Sequence, residues 1–247
     1  MIPLANILQP LIDVADSVIT FLHDDVGLTW GLAIVGLTFI TRLVILPLSL
    51  KQIRSMRSLQ QHAPELKALQ EKYKGDKERL QREMMAFYKE NQINPLASCW
   101  PLLLQLPVFL ALYQLLNSQT FKDQVLNNPP EGFLFIPNLT ENATGVELAI
   151  LIILFIGTQM GAGIVMSSRV QDRNQRLIMF GLPFLFAPFV ATFPAGLAVY
   201  WISTNIWTLG QQWVVMTFWP PPKLPTPEEV AAKRPPPPPP RKKKRRK

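Results

Sequence analysis

The chain has 247 residues, of which 48% are hydrophobic, and it carries a net charge of +8. Its apolar runs are long enough to cross a bilayer, which excludes a soluble globular protein, and packed helices are the class that satisfies backbone groups in lipid. The single cysteine excludes an internal disulfide and a multi-cysteine metal site. We therefore predict an all-α polytopic membrane protein with no metal and no cofactor.

Residues 1–26 are predicted to form a helix that lies along the membrane surface. Polar residues recur every three or four positions, at Asn6, Gln9, Asp13, Asp16 and Thr20. This spacing makes one narrow polar stripe on an otherwise apolar helix, which is typical of an interfacial helix. A flexible leader is the alternative. The segment has no basic start, so it does not follow the pattern of a signal peptide.

Hydropathy predicts five membrane spans within a core of residues 27–218, which together form a five-helix transmembrane bundle. The spans are Gly27–Leu50, Pro95–Leu116, Leu148–Met166, Leu177–Phe193 and Leu197–Phe218.

Arg42 interrupts the first of these spans. A charged side chain at the bilayer centre costs about 2.5–3.5 kcal/mol on insertion scales, so it needs a partner or water. None of the five spans contains Asp or Glu that could serve as a counterion. Arg42 therefore predicts a water-filled cavity inside the membrane.

Residues 51–94 are predicted to form a cytoplasmic hairpin of two amphipathic helices. Apolar residues repeat at heptad-like spacing on both sides of Gly75-Asp76, which reads as a helix stop followed by an N-cap. We interpret the hairpin as a mobile docking arm for a substrate, and a purely structural hairpin is the alternative. The candidate contact residues of the docking arm are Met84, Met85 and Phe87.

The positions of the basic residues predict the orientation of the spans. All but two of the 25 Lys and Arg residues lie in residues 51–94, in the loop after the third span, or after the fifth span. Five spans place these segments on one side of the membrane, and the positive-inside rule makes that side cytoplasmic. The N-terminus and the loop over residues 117–147 are then outside, and the C-terminus is inside.

Residues 219–247 are predicted to form a Pro-rich basic tail. Pro235–Pro240 favours an extended polyproline segment. Seven consecutive basic residues follow it: Arg241, Lys242, Lys243, Lys244, Arg245, Arg246 and Lys247. Such a cluster binds polyanions, and anionic lipid and ribosomal RNA are the two candidates.

Other classes of membrane protein fit these spans less well. Proton relays and cation pathways use intramembrane Asp, Glu or His, and the spans contain none of these. The sequence also lacks an HExxH motif and a Walker loop, so we predict that the protein is not an enzyme. An anion channel or transporter lined by Arg42 remains the alternative to the function given below.

Four stretches together resemble one protein family. They are TFITRLVILPLSLKQIRSM (38–56), YKGDKERLQREMMAFYKE (73–90), NPLASCWPLLLQLPVFLALY (94–113) and FPAGLAVYWISTNIWTLGQQW (193–213). In this order they make residues 27–218 similar to the YidC/Oxa/Albino family of membrane protein insertases, in a short, Gram-positive-like bacterial form. We accordingly expect neither the large outer domain nor the extra N-terminal span of Gram-negative members.

The resemblance implies a hydrophilic groove that is open to the cytoplasm and to lipid. Such a groove accepts hydrophilic parts of nascent membrane proteins in the bacterial cell membrane and releases their apolar helices into lipid. The groove positions of the family fall on Arg42, Thr38, Gln159, Tyr200 and Trp201. The ribosome and the Sec translocon are further expected partners, and a groove open to lipid suits a monomer.

The fifth span adds one residue to this groove from its own spacing. Tyr200, Thr204, Thr208 and Gln211 recur on one helix face. We therefore include Thr204 among the groove residues. The alternative is that these polar groups only form hydrogen bonds between helices.

Overall fold

The computed structural model describes residues 3–91, 100–127, 132–167 and 173–219. The described residues form nine α-helices and no β-strand. The predicted all-α class is therefore confirmed. The helices are α1 (Pro3–Asp24), α2 (Trp30–Gln61), α3 (Ala63–Lys72), α4 (Lys77–Glu90), α5 (Trp100–Asn117), α6 (Gln119–Asn127), α7 (Gly145–Ser167), α8 (Arg173–Val190) and α9 (Ala195–Phe218).

The described helices divide into two compact units. The larger unit contains α1, most of α2 and α5 to α9, and the smaller contains the end of α2 with α3 and α4. In the larger unit, α9 packs closely along α7 and α5, while α8 packs on α7 and α1 on α5. The N-terminal half of α9 is the most buried stretch, and its small residues Ala195, Gly196 and Ala198 allow this close helix packing.

Two segments are long and apolar enough to cross a bilayer, namely Trp30–Ser55 with 26 residues and Gly145–Ile164 with 20. Within the molecule, only 28% of the most apolar stretch of the first segment is buried, and 22% of that of the second. The core helix of a soluble protein is mostly buried. Leu103–Asn117 and Phe180–Val190 are shorter apolar segments at the second and fourth predicted spans. Helix α9 coincides with the fifth, and the crossing of all five stays a prediction.

Helix α1 has two apolar faces, one buried against the core and a neighbouring one that is exposed. Ala15 and Ile19 are buried in the core of the larger unit. Ile7, Val14 and Phe21, spaced seven residues apart on the other face, are all more than half exposed. The predicted helix is therefore present, and its second apolar face is available to lipid.

The first apolar helix continues past the end of the first predicted span. The span was predicted to end at Leu50, but α2 runs without interruption to Gln61. The change from apolar to charged residues alters the surroundings of the helix without breaking its hydrogen bonds. The break comes at His62, because Pro64 has no N–H for the next intrahelical bond and is tolerated only in the first turn of α3.

The hairpin turn lies where the sequence predicts it. Asp76 is the N-cap of α4, and its carboxylate accepts a hydrogen bond from the Arg79 backbone N–H at 3.0 Å. Helices α3 and α4 pack against each other within the smaller unit. An N-cap of this kind contributes about 1 kcal/mol to helix stability.

Helix α6 occupies part of the segment that was predicted as a loop over residues 117–147. Ser118 caps it, because its hydroxyl accepts a hydrogen bond from the Phe121 N–H at 3.2 Å. Phe121 and Val125, one turn apart, are buried in the core. This single apolar face is too short for hydropathy to reveal, so the sequence prediction missed the helix.

Residues 132–144, called loop 132–144 from here on, cap the N-terminus of α9. The backbone N–H groups of Ala195 and Gly196 donate to the carbonyls of Glu141 at 2.7 Å and Leu139 at 2.8 Å. These bonds satisfy donors that have no partner within the helix. A Cβ atom on Gly196 would lie 2.9 Å from the Leu139 oxygen and 3.1 Å from Ile34, so this close contact requires glycine.

Candidate functional site

Arg42 lies within the apolar segment of α2 and is partly exposed. It receives no ion pair or hydrogen bond from the residues that the structure describes. The Tyr200 hydroxyl of α9 lies within range of an electrostatic interaction with the guanidinium. A guanidinium carries five N–H donors. These donors need acceptors other than the described side chains, such as water or a bound segment.

Tyr200 connects this arginine to a second helix. Its ring is buried, and its hydroxyl accepts a hydrogen bond from the Gln105 side-chain amide of α5. Thr204 lies one turn further along α9, where its buried hydroxyl sits beside that of Tyr200 without a well-formed hydrogen bond. Polar groups from α2, α5 and α9 therefore meet at one level of the bundle.

Gln105 is a member of this cluster that the sequence analysis missed. It stands in the run LLLQLPV (102–108), which is otherwise entirely apolar. Amide side chains in membrane helices commonly form hydrogen bonds across to neighbouring helices. A lone glutamine within a predicted span was therefore the signal that could have identified it.

Helices α2 and α9 approach each other through long side chains. None of the extended close pairings between described helices involves α2. The Phe39 ring meets the Trp207 ring edge-on with 5.1 Å between centroids. Arg42 lies one turn from Phe39 on the same face and faces Tyr200. Aromatic and polar side chains of α2 and α9 therefore meet at the level of Arg42.

Thr38 on α2 and Gln159 on α7 were also predicted as groove residues, but neither belongs to the polar cluster around Arg42. Thr38 lies one turn before Arg42 but is fully buried, and its hydroxyl donates to the Ile34 carbonyl at 2.8 Å. Gln159 is partly buried and follows Thr158, whose hydroxyl accepts a hydrogen bond from Asn205 at 3.2 Å. No hydrogen bond or ion pair among the described residues joins Gln159 to Arg42. Groove roles for Thr38 and Gln159 stay predictions.

Trp201 lies in an aromatic cluster. Its ring meets Phe109 of α5 at 5.4 Å, Phe155 of α7 at 5.0 Å and Phe186 of α8 at 6.3 Å between centroids. Successive residues of a helix point in directions about 100° apart, so Trp201 and Tyr200 contact different side chains. The cluster ties four helices together, and a groove role for Trp201 also stays a prediction.

The three predicted docking residues lie on α4 of the smaller unit. Met85 is 61% exposed, whereas Met84 is partly buried. The Phe87 ring packs edge-on against His62 with 5.9 Å between centroids. Met85 is therefore the residue most available to a partner. The basic tail, Arg241–Lys247, lies outside the described residues.

These features define an α-helical membrane protein with an arginine-centred polar site that has no carboxylate among its described members. Residues 21–221 match the family model described as 60Kd inner membrane protein, and the chain belongs to this family. The resemblance to the YidC/Oxa/Albino family is therefore confirmed, and with it a membrane location.

Several relatives named membrane protein insertase YidC are similar to this chain. The protein of Streptomyces avermitilis is 36% identical over 229 residues, covering 80% of this chain and 54% of the relative. The Campylobacter jejuni protein is 39% identical over 198 residues, covering 80% and 36%. The Helicobacter pylori protein is 40% identical over 201 residues, covering 79% and 34%. The chain thus spans about half the length of these relatives or less.

A solved structure has a similar fold. It is a crystal structure of an active YidC insertase with the first transmembrane domain resolved, and it is 26% identical with a TM-score of 0.63. The match covers 87% of this chain and 46% of that chain. The helical arrangement described here is therefore shared with a YidC insertase.

Proposed function

We propose that the chain is a membrane protein insertase and chaperone. Arg42 carries the proposal, because its five donors receive no acceptor from the described residues although it lies within an apolar segment. Arg42 and Gln105 are partly exposed and offer polar groups to a hydrophilic segment, while Tyr200 and Thr204 are buried beside them. Thr38, Gln159 and Trp201 complete the proposed groove by family resemblance.

The proposed mechanism is solvation. A polar segment that crosses the bilayer loses its hydration, which is the main cost of translocation. A wet groove shortens the apolar path over which that cost applies, and Arg42 attracts acidic or electronegative groups of the segment. The apolar helix of the substrate then moves sideways into lipid. No covalent bond is made or broken, so the protein is not an enzyme.

The proposed architecture has three parts. Residues 1–26 lie as an interfacial helix on the outer surface, which the exposed apolar face of α1 supports. Residues 27–218 form a five-span core, from which the hairpin of residues 51–94 extends into the cytoplasm. Residues 219–247 form a cytoplasmic tail. The distribution of basic residues supports this orientation, with the N-terminus outside.

The proposed partners follow from the same parts. Nascent membrane proteins enter the groove from the cytoplasm, and Met84, Met85 and Phe87 of the hairpin make the first adaptable apolar contacts. The Sec translocon is a further proposed partner. A groove that opens to lipid favours a monomer as the working unit. No observation favours an anion channel or transporter lined by Arg42.

Reconstitution tests the proposed function. The purified protein is placed in liposomes and supplied with a short single-span substrate, and insertion is measured by protease protection. Faster insertion than in protein-free liposomes is the expected result. Equal insertion in both, with chloride flux appearing only in the loaded liposomes, would overturn the insertase in favour of the channel.

Arg42 is expected to be reachable from the cytoplasm. In a Cys99→Ala background, Arg42→Cys should react with a membrane-impermeant thiol reagent added on the cytoplasmic side. Val44→Cys is the matched control, because Val44 lies on the same helix and is largely exposed, so that it faces lipid. It should stay unlabelled. Labelling of Arg42→Cys from neither side contradicts a wet groove, and labelling only from outside inverts the proposed geometry.

The basic tail is proposed to hold ribosomes near the groove. Its seven positive charges follow a stiff proline spacer. Each phosphate contact changes the slope of log affinity against log salt concentration by about 0.9 or less. Truncation after Pro240 should therefore weaken co-sedimentation with ribosomes and flatten this slope, while post-translational insertion of a small substrate hardly changes. Unchanged ribosome binding with weakened binding to anionic liposomes would make the tail a lipid anchor.

A further inference from the structure

Loop 132–144 contains a two-residue turn with an apolar tip. Phe133 and Ile136 exchange backbone hydrogen bonds of 2.8 and 2.9 Å, and Leu134 and Phe135 stand between them. A Cβ atom on the preceding Gly132 would lie 2.7 Å from the Ile136 oxygen, so the close approach of the two backbones requires glycine. The turn is therefore tightly closed.

Leu134 is an unfavourable residue for the conformation that it adopts. Its φ is 56°, and it is the single non-glycine residue with positive φ in the described part of the chain. Two-residue turns with positive φ at this first central position favour glycine, because a Cβ atom there crowds the backbone. A turn that only reversed the chain direction would be more stable with glycine. The presence of leucine instead of glycine therefore indicates that the side chain itself has a function.

The side chain of Leu134 points away from the protein. It is 84% exposed, and Phe135 beside it is also exposed. Residues 132–140, GFLFIPNLT, contain no charged residue. Exposing such a tip to water is unfavourable, whereas placing it in lipid removes apolar surface from water.

The turn is fixed at the level where the first apolar segment begins. The Phe133 ring covers Gly31 so closely that a Cβ atom on Gly31 would overlap it. Ile136 is buried in the core of the same unit. Gly31 is the second residue of the apolar segment Trp30–Ser55. The end of an apolar spanning segment marks the surface of the bilayer, so the tip lies at that surface.

We propose that Leu134 and Phe135 form a lipid anchor that inserts into the bilayer surface beside the N-terminal end of α2. The rigid turn presents both side chains without ordering them on binding, which lowers the entropic cost of insertion. The anchor would hold loop 132–144, and through it the capped N-terminus of α9, at a fixed depth. It requires that the protein spans a bilayer but not that it inserts substrates.

The test places an environment-sensitive fluorophore on Leu134→Cys in a Cys99→Ala background, with the protein in lipid nanodiscs. Val44→Cys is the lipid-facing control, and Lys74→Cys in the exposed hairpin turn is the aqueous control. We expect the emission at position 134 to shift to the blue, as at position 44. Lipids brominated near the head group should quench it more than lipids brominated near the bilayer centre.

Two other outcomes overturn the proposal. Emission and iodide quenching at position 134 that match those at position 74 would place the tip in water. An apolar environment that appears only in native membranes, and not in nanodiscs, would make the tip a docking site for another protein.

A second variant separates the anchor from the fold. Leu134→Gly relieves the strained φ, so the melting temperature in detergent should stay the same or rise. A fluorophore on Phe135→Cys should lose its blue shift when Leu134→Gly is added. A blue shift that is unaffected by Leu134→Gly, or a melting temperature that falls, would overturn the anchoring role of this leucine.

Discussion

Arg42→Ala is expected to abolish insertion of substrates with acidic tails, whereas Arg42→Lys should retain most of it. One pair of opposite charges about 4 Å apart at an effective dielectric constant of about 20 contributes about 4 kcal/mol. Loss of even a third of this stabilisation slows insertion about tenfold. Lysine keeps the charge, although it loses the planar fork of the guanidinium. The measurement is the initial rate of insertion into liposomes for substrates that differ only in tail charge.

Two comparisons make this result specific to the charge of Arg42. Substrates with uncharged tails should be much less affected by Arg42→Ala. Arg54→Ala is the matched control, because Arg54 is an exposed arginine on the same helix that lies beyond the end of the first predicted span at Leu50. It should leave the insertion of both kinds of substrate unaffected. Equal losses for acidic and uncharged tails, in a protein that remains folded, would assign Arg42 a structural role.

The position of Arg42 could be predicted from sequence because a charge in an apolar run has few physical explanations. Tyr200 was predicted from the family resemblance, and Thr204 from its spacing to Tyr200 on one helix face. Gln105 was not predicted, because hydropathy does not specify which faces of two apolar helices meet. The partners of an intramembrane side chain depend on helix rotation, which is set by packing.

Helix boundaries show the same difference between local and tertiary causes. The turn at Gly75-Asp76 was predicted correctly because an N-cap is a local feature of the sequence. The predicted end of the first span at Leu50 does not coincide with a helix end, because polarity changes at Lys51 while α2 itself continues to Gln61. Hydropathy reports the surroundings of a helix, and only a residue such as Pro64 interrupts its hydrogen bonding.

Trp201 is the site residue for which the sequence prediction and the observed packing differ most. A groove residue would contact the substrate and contribute little to the fold. The observed ring instead contacts aromatic side chains on α5, α7 and α8. Each aromatic pair adds about 0.5–1.5 kcal/mol beyond the burial of area. These contacts predict that Trp201 stabilises the bundle in addition to its proposed place in the groove.

Trp201→Ala should therefore lower the free energy of unfolding, by at most about 3–5 kcal/mol, the usual range for truncating a fully buried aromatic residue, because Trp201 is partly buried against the core. Trp201→Phe keeps a ring in the cluster and should cost much less. Trp213→Ala is the matched control on the same helix, because Trp213 is 65% exposed, and it should change stability little. Reversible unfolding by denaturant in detergent, followed by the loss of helical circular dichroism, measures all three. If Trp201→Ala keeps its stability but loses insertion activity, the tryptophan acts in the groove.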